Sequence, residues 1–244
     1  MSLLRDDGVV LRTYRLGEAD RIVVVLTEHH GKVRAVAKGV RRTASRFGAR
    51  LEPLSHVALL LWQGRGDLDT VNQAQVIDHF RHVREDLDRV QAGMAMLEAA
   101  DQVSQEQHAD PQLYRMLVGA LSTLDDPARP SALILPAFFL KVLSLDGAAP
   151  VLDRCASCGA GPAEMELVAF DLGEGGALCR RCRRGRPISP QALAVMRQIL
   201  GGELAAALAE SRAGTAEELL SVVTDAMETH LDRRLRTVRA AAGC

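Results

Sequence analysis

The chain has 244 residues, 48% of them hydrophobic and 25% charged, with a formal net charge of −1. That length admits one large domain or two to three small ones with ordinary cores. No apolar stretch approaches the ~18 residues of a membrane span. The first residues, Met1 to Tyr14, carry no leader-like apolar run, so a cytoplasmic chain without membrane contact is expected.

The first ~80 residues read as strands. Val9, Leu11 and Thr13 alternate with Val10, Arg12 and Tyr14, and Ile22 to Thr27 is apolar on both faces, as a central strand is. His30-Gly31 makes a turn, after which Val33, Ala35 and Ala37 alternate with Lys32, Arg34, Val36 and Lys38. Gly39 to Pro53 is irregular and too polar for a core; His56 to Trp62 and Leu68 to Ile77 supply two more strands. Five short strands suit a small closed barrel, of which the OB-fold is the commonest.

The middle is helical: one apolar stripe from about Arg84 to His108, a second helix opened by Pro111, and a third from about Ser131 to Leu145. After the cysteines described below, Ser189-Pro190 starts a helix with serine as N-cap. Thr215 and Glu218 match a capping box for another. The expected architecture is multi-domain β + α: an N-terminal five-stranded OB-fold barrel, then an all-α helical domain with an inserted four-cysteine zinc module. The expected boundaries are 1–80 for the barrel, 81–150 and 188–244 for the two parts of one helical bundle, and 151–187 for the zinc module.

Charge is segregated along the chain. Lys32, Arg34, Lys38, Arg41, Arg42, Arg46 and Arg50 fall within nineteen positions that hold no acid. On a barrel, such a strand and loop attract a phosphate backbone, so these seven are the candidate DNA ligands. Phe47 sits among them and is placed to stack on bases; Trp62 and Phe80 are read as core. Arg180, Arg181, Arg183, Arg184 and Arg186 form a second cluster, from which Arg183 and Arg184 are weaker candidates, and Arg233, Arg234, Arg236 and Arg239 a third. Arginines beside cysteine turns also neutralise thiolates.

Cys155, Cys158, Cys179 and Cys182 form a C-x2-C-x20-C-x2-C frame. Two such turns present four sulfurs to one ion, and a closed four-sulfur site leaves no position for substrate, so one structural Zn2+ is expected. Two disulfides, a redox pair and an iron–sulfur cluster are the weaker alternatives. Cys244 reads as a free tail thiol. No GxxxxGK loop, no H-E-x-x-H and no magnesium-holding acidic cluster is present, which argues against an enzyme and a small-molecule substrate. His29 and His30 at their turn are expected to be solvated.

Three segments carry a family resemblance. Gly8 to Arg21 (GVVLRTYRLGEADR), Leu26 to Lys32 (LTEHHGK), and Val36 to Arg42 (VAKGVRR) running on to Ser45–Phe47 are similar in order and spacing to the bacterial recombination mediator RecO. With the cysteine frame after a helical segment, the chain resembles the zinc-bearing branch of that family. The resemblance implies a non-catalytic repair protein that binds single- and double-stranded DNA and anneals complementary strands. It implies RecR as partner in loading RecA onto DNA coated by single-strand binding protein (SSB), and contact with the C-terminal tail of SSB. By the same analogy Lys32, Arg34, Lys38, Arg41, Arg42 and Arg46 would carry DNA. The rival reading is a zinc-ribbon adaptor that binds proteins alone.

Overall fold

The computed structural model describes residues 2–42, 45, 47–64, 66–161, 164–210 and 213–241, with backbone alone at 210, 213 and 239–241. Arg46, Cys244 and the Arg239 side chain therefore lie outside the described residues.

Five strands close a barrel: β1 (Leu3–Leu16), β2 (Asp20–Thr27), β3 (Gly31–Ala37), β4 (His56–Trp62) and β5 (Asp69–Asp78), in the order β1-β2-β3-β5-β4. Closure depends on β1, which pairs with β4 over Leu3–Val9 and with β2 over Gly8–Leu16, bending at a bulge between Val10 and Arg12. Gly8 stands where both pairings meet. A Cβ there would lie 2.5 Å from Val25 Cγ1 and 3.0 Å from the Leu26 carbonyl, so the strands can approach only without one. The alternation read in β3 holds: Val33, Ala35 and Ala37 face the core with Val23, Val25, Val57, Leu59, Leu61 and Val71.

Two aromatic residues exchange the roles that the sequence suggested. Phe47, expected to stack on bases, is 2% exposed and joins Leu51 in the barrel core. The arginine-rich loop is thus pinned by an apolar anchor, a side-chain burial worth about 1.5–3 kcal/mol. Trp62, expected in the core, is 41% exposed on the outer face at the end of β4. Phe80 is buried, as read.

Three helices follow: α1 (Arg81–Glu85), α2 (Leu87–Val103) and α3 (Pro111–Asp125), the last two packing on β1. Asp86 and Asp110 cap α2 and α3 through their side chains, and Pro111 fills the first position of α3. The buried pair of His56 Nε2 and Tyr114 Oη, 2.7 Å apart, ties α3 to the barrel wall. Burial pulls the His56 pKa down and pushes that of Tyr114 up, which leaves both neutral.

The segment after α2 runs back along β3. Lys32 N donates to the Gln105 carbonyl at 3.3 Å and Gln107 N to the Lys32 carbonyl at 3.1 Å, covering a strand edge that β5 pairs at only two positions. The approach requires Gly31, whose φ is +68° and whose Cβ would lie 2.1 Å from the His108 carbonyl oxygen.

Residues Pro127–Cys244 form a second compact unit, separate from Met1–Asp126. It contains the apolar α4 (Ile134–Leu145), a small sheet of β6 (Leu167–Asp171), β7 (Gly176–Cys179) and β8 (Arg186–Pro187), and helices α5 (Pro190–Leu200), α6 (Leu204–Glu210), α7 (Ala213–His230) and α8 (Arg236–Ala241). α4 packs on α5 and α7. Helices α1 to α3 fall in the first compact unit with the barrel, and α4 to α8 in the second. The reading of Ser189-Pro190 holds, with Ser189 Oγ accepting from Ala192 N. The Thr215 box does not open a helix, because α7 already begins at Ala213. Glu218 instead accepts from the backbone N and the Oγ of Ser189, both at 2.7 Å.

Candidate metal centre and nucleic-acid interface

The four cysteines come from two turns. The first is closed by Gly159 N donating to the Cys155 carbonyl at 2.8 Å, the second by Cys182 N donating to the Cys179 carbonyl at 3.1 Å. Bridges from Val151 to the β7 residue Gly176 bring the turns together, and Cys179 N donates to Cys155 Sγ at 3.4 Å. All four sulfurs lie within 4.8 Å of one another. Cys158 and Cys179 Sγ are 3.8 Å apart and no disulfide joins them. A tetrahedron with metal–sulfur bonds of about 2.3 Å has an edge of about 3.8 Å, so the donor set fits one ion.

Protonation supports the same arrangement. Burial raises the pKa of the Cys155 thiol, but backbone N–H groups of Cys179, Cys158 and Ser157 outweigh it and bring it down to about 6. Cys182 goes the other way, pushed up to about 12 by its hydrogen bond with Cys158 and by burial. Four thiolates this close cannot all ionise unless a cation joins them. Arg181, hydrogen-bonded to Cys158, supplies part of that positive charge.

The structure divides the candidate DNA ligands into engaged and open groups. Lys32 is engaged: its side chain is 12% exposed, and Nζ donates to the Asp101 carbonyl at 2.6 Å. Nζ also sits 3.3 Å from Asp101 Oδ1, an electrostatic pairing without hydrogen-bond geometry. Asp101 Oδ2 takes Arg12 Nε at 2.9 Å. Arg34 faces Glu106 at 3.8 Å. Arg41 is exposed and donates to the Glu18 carbonyl at 2.8 Å, which leaves its charge unpaired. Lys38 and Arg42 are exposed at the end of β3 and in the turn beyond, and neither side chain has an acidic partner among the described residues. Arg50 is exposed in the 3-10 turn Gly48–Leu51.

After the cysteines, Arg180 pairs with Glu166 at 2.7 Å, Arg184 with Glu174, and Arg186 with Asp225 at 2.7 Å. Arg183 is exposed with no such partner among the described residues. The histidine turn is solvated as read, with the His29 side chain 67% and that of His30 43% exposed, but both rings also bond one buried acid. Buried Asp6 takes His29 Nδ1 at 3.0 Å and His30 Nδ1 at 2.6 Å. The Asp6 bond holds the His29 pKa above its ordinary value. Burial acts to raise the Asp6 pKa, but the two rings and the backbone N–H groups of His29 and Asp7 outweigh it and lower it.

Among the described residues no helix is long and apolar enough to cross a membrane. Residues 1–80 match the family profile described as Recombination protein O N terminal, and residues 84–239 match the one described as Recombination protein O C terminal.

Proposed function

The chain belongs to the recombination protein O family, and from that premise we propose that it is a non-catalytic mediator that binds DNA and anneals complementary strands. Family membership gives the general role, in DNA recombination and repair. The finer reading is that it accepts single and double strands and works with RecR. Together they would load RecA onto strands coated by SSB, whose C-terminal tail it would also contact. The four cysteines would hold one Zn2+, which fixes the β6–β8 module and supplies no chemistry to a substrate.

The observation that carries this reading is the open cationic turn beyond β3, where Lys38, Arg41 and Arg42 have no acidic partner among the described residues. Such a turn binds phosphates by releasing counterions, with little sequence preference. Arg50 and Arg46, the latter outside the described residues, extend the same stretch of chain. Arg183 is the open cation of the second cluster, and Arg184 is a poorer candidate because Glu174 holds it. Lys32 and Arg34 act through Asp101 and Glu106 as braces of the fold.

The test is annealing of two complementary oligonucleotides coated with SSB, comparing the wild type with a Lys38→Glu, Arg42→Glu variant. Acceleration by the wild type and its loss in a folded variant is the expected result. A variant that anneals like the wild type would leave the turn idle. If neither protein accelerates annealing, the mediator reading fails, and an adaptor that binds proteins alone takes its place.

A further inference from the structure

The outer face of β1, β4 and β5 has a composition of its own. Register places Leu3, Trp62 and Thr70 in one row across the three strands, Arg5, Leu60 and Gln73 in the next, and Asp7, Ala58 and Gln75 in a third. Side chains directly opposite one another share a face, and diagonal neighbours remain within reach of long ones. Leu3 is 49% and Trp62 41% exposed, so the indole stands open to solvent, and Arg5 is its diagonal neighbour in the register. Arg5 makes no ion pair among the described residues. A cavity of about 520 Å³ continues from there, lined by Arg5, Leu60, Gln73, Gln75, Asn72 and Arg50 among others, with no carboxylate in its wall. Asp7 stands on the same face without lining the cavity.

We propose that this face is a stacking platform for single-stranded nucleic acid, with Trp62 packing on a base and Arg5 holding the adjoining phosphate. The inference rests on the DNA-binding reading above and adds to it the surface that distinguishes one strand from two. An exposed indole offers a π-face that every base can use, whereas the bases of a duplex are already stacked on each other. The amides of Asn72, Gln73 and Gln75 carry both donors and acceptors, which suits base edges. Arg5 and Arg50 bring positive charge to a wall that holds no acid to repel a polyanion. From Trp62 to Ala58 the platform runs about 13 Å along β4, enough for a short stretch of strand. The cationic turn beyond β3 then gives affinity for any phosphate backbone, and the platform gives the preference for single strands.

Trp62 is the chain's one tryptophan, so its fluorescence reports on this face alone. The full chain is titrated with an oligothymidylate, with a base-free strand carrying the same number of phosphates, and with a matched duplex. Labelled-strand anisotropy records binding in parallel. The expected result is saturable quenching by the oligothymidylate and none by the base-free strand or the duplex. Trp62→Ala weakens single-strand binding on the order of ten- to hundred-fold. It leaves duplex binding within about two-fold, and Trp62→Phe recovers most of the loss. Circular dichroism and the unfolding midpoint establish that both variants fold.

Strand binding without quenching, together with unchanged affinity in Trp62→Ala, overturns the platform while the DNA-binding reading stands. Absence of binding to any strand by the wild type sinks both. If Trp62→Ala keeps strand binding but no longer retains a purified recombination partner, the face is a protein interface and the inference is overturned.

Discussion

Asp101 shows how a cation can look free in sequence and be committed in the fold. Its carboxylate is 6% exposed and sits between Arg12 and Lys32, and the Lys32 ammonium donates to the Asp101 backbone carbonyl. Removing one partner of a buried ion pair strands the other, typically at a cost of about 3–5 kcal/mol. Arg12 keeps one oxygen, so Lys32→Ala should lose about 3 kcal/mol of stability in urea unfolding, at the low end of that range. Lys38→Ala, on an exposed side chain with no acidic partner among the described residues, should stay within about 0.5 kcal/mol of the wild type. Asp101→Asn in the Lys32→Ala background should return part of the loss, because the stranded charge is then gone. If Lys32→Ala instead unfolds like the wild type and loses DNA affinity, Lys32 is a ligand and the brace is incidental.

At the scale of elements, the four-cysteine module and the barrel should respond separately. The β6–β8 sheet is only five, four and two residues long per strand, too small to bury a core of its own. What holds its turns is the meeting of four sulfurs. Chelation, or Cys155→Ser with Cys179→Ser, should therefore erase amide protection in β6 and β7 while β1 to β5 keep theirs in hydrogen exchange. Elemental analysis should return one zinc per chain before treatment. Uniform loss of protection across both units would contradict this division.

The same scale shows what a sequence carries. The bounds of β2 to β5 follow from apolar alternation and the intervening turns, and α3 and α5 from Asp110-Pro111 and Ser189-Pro190, because each signal is local. The four-cysteine cluster was legible for the same reason: C-x2-C fixes its own turn. Trp62 was not, since β4 reads His-Val-Ala-Leu-Leu-Leu-Trp and an all-apolar strand conceals which parity faces out. Phe47 lay hidden among arginines, although an aromatic in a polar loop is what an anchor looks like. Lys32 needed knowledge of Asp101, which engages its side chain from 69 positions away. Glu218 was claimed by Ser189 from a different helix. Failures concentrate where tertiary contact overrides a local signal.

For the whole molecule, a net charge of −1 means that no global field draws DNA in, so affinity depends on the open cations alone. Counting Lys32 and Arg34 gives about six phosphate contacts, and slopes of log affinity against log salt near −5 on duplex and −4 on single strands. With those two held by Asp101 and Glu106, about four contacts remain, and the slopes fall to roughly −4 and −3. Stacking on Trp62 releases no counterions and is not screened. Single-strand affinity should therefore persist when the line is extended to ~1 M salt, where duplex affinity has vanished. Titrations from low to high salt on matched single and double strands measure both quantities at once. A duplex slope of −5 or steeper would mean that DNA pulls Lys32 and Arg34 away from their acids, and the braces would then be a competitor that binding must displace. The shallower slope with a residual single-strand affinity separates the two surfaces by physics: one turn that any phosphate satisfies, and one face that only an unpaired base can use.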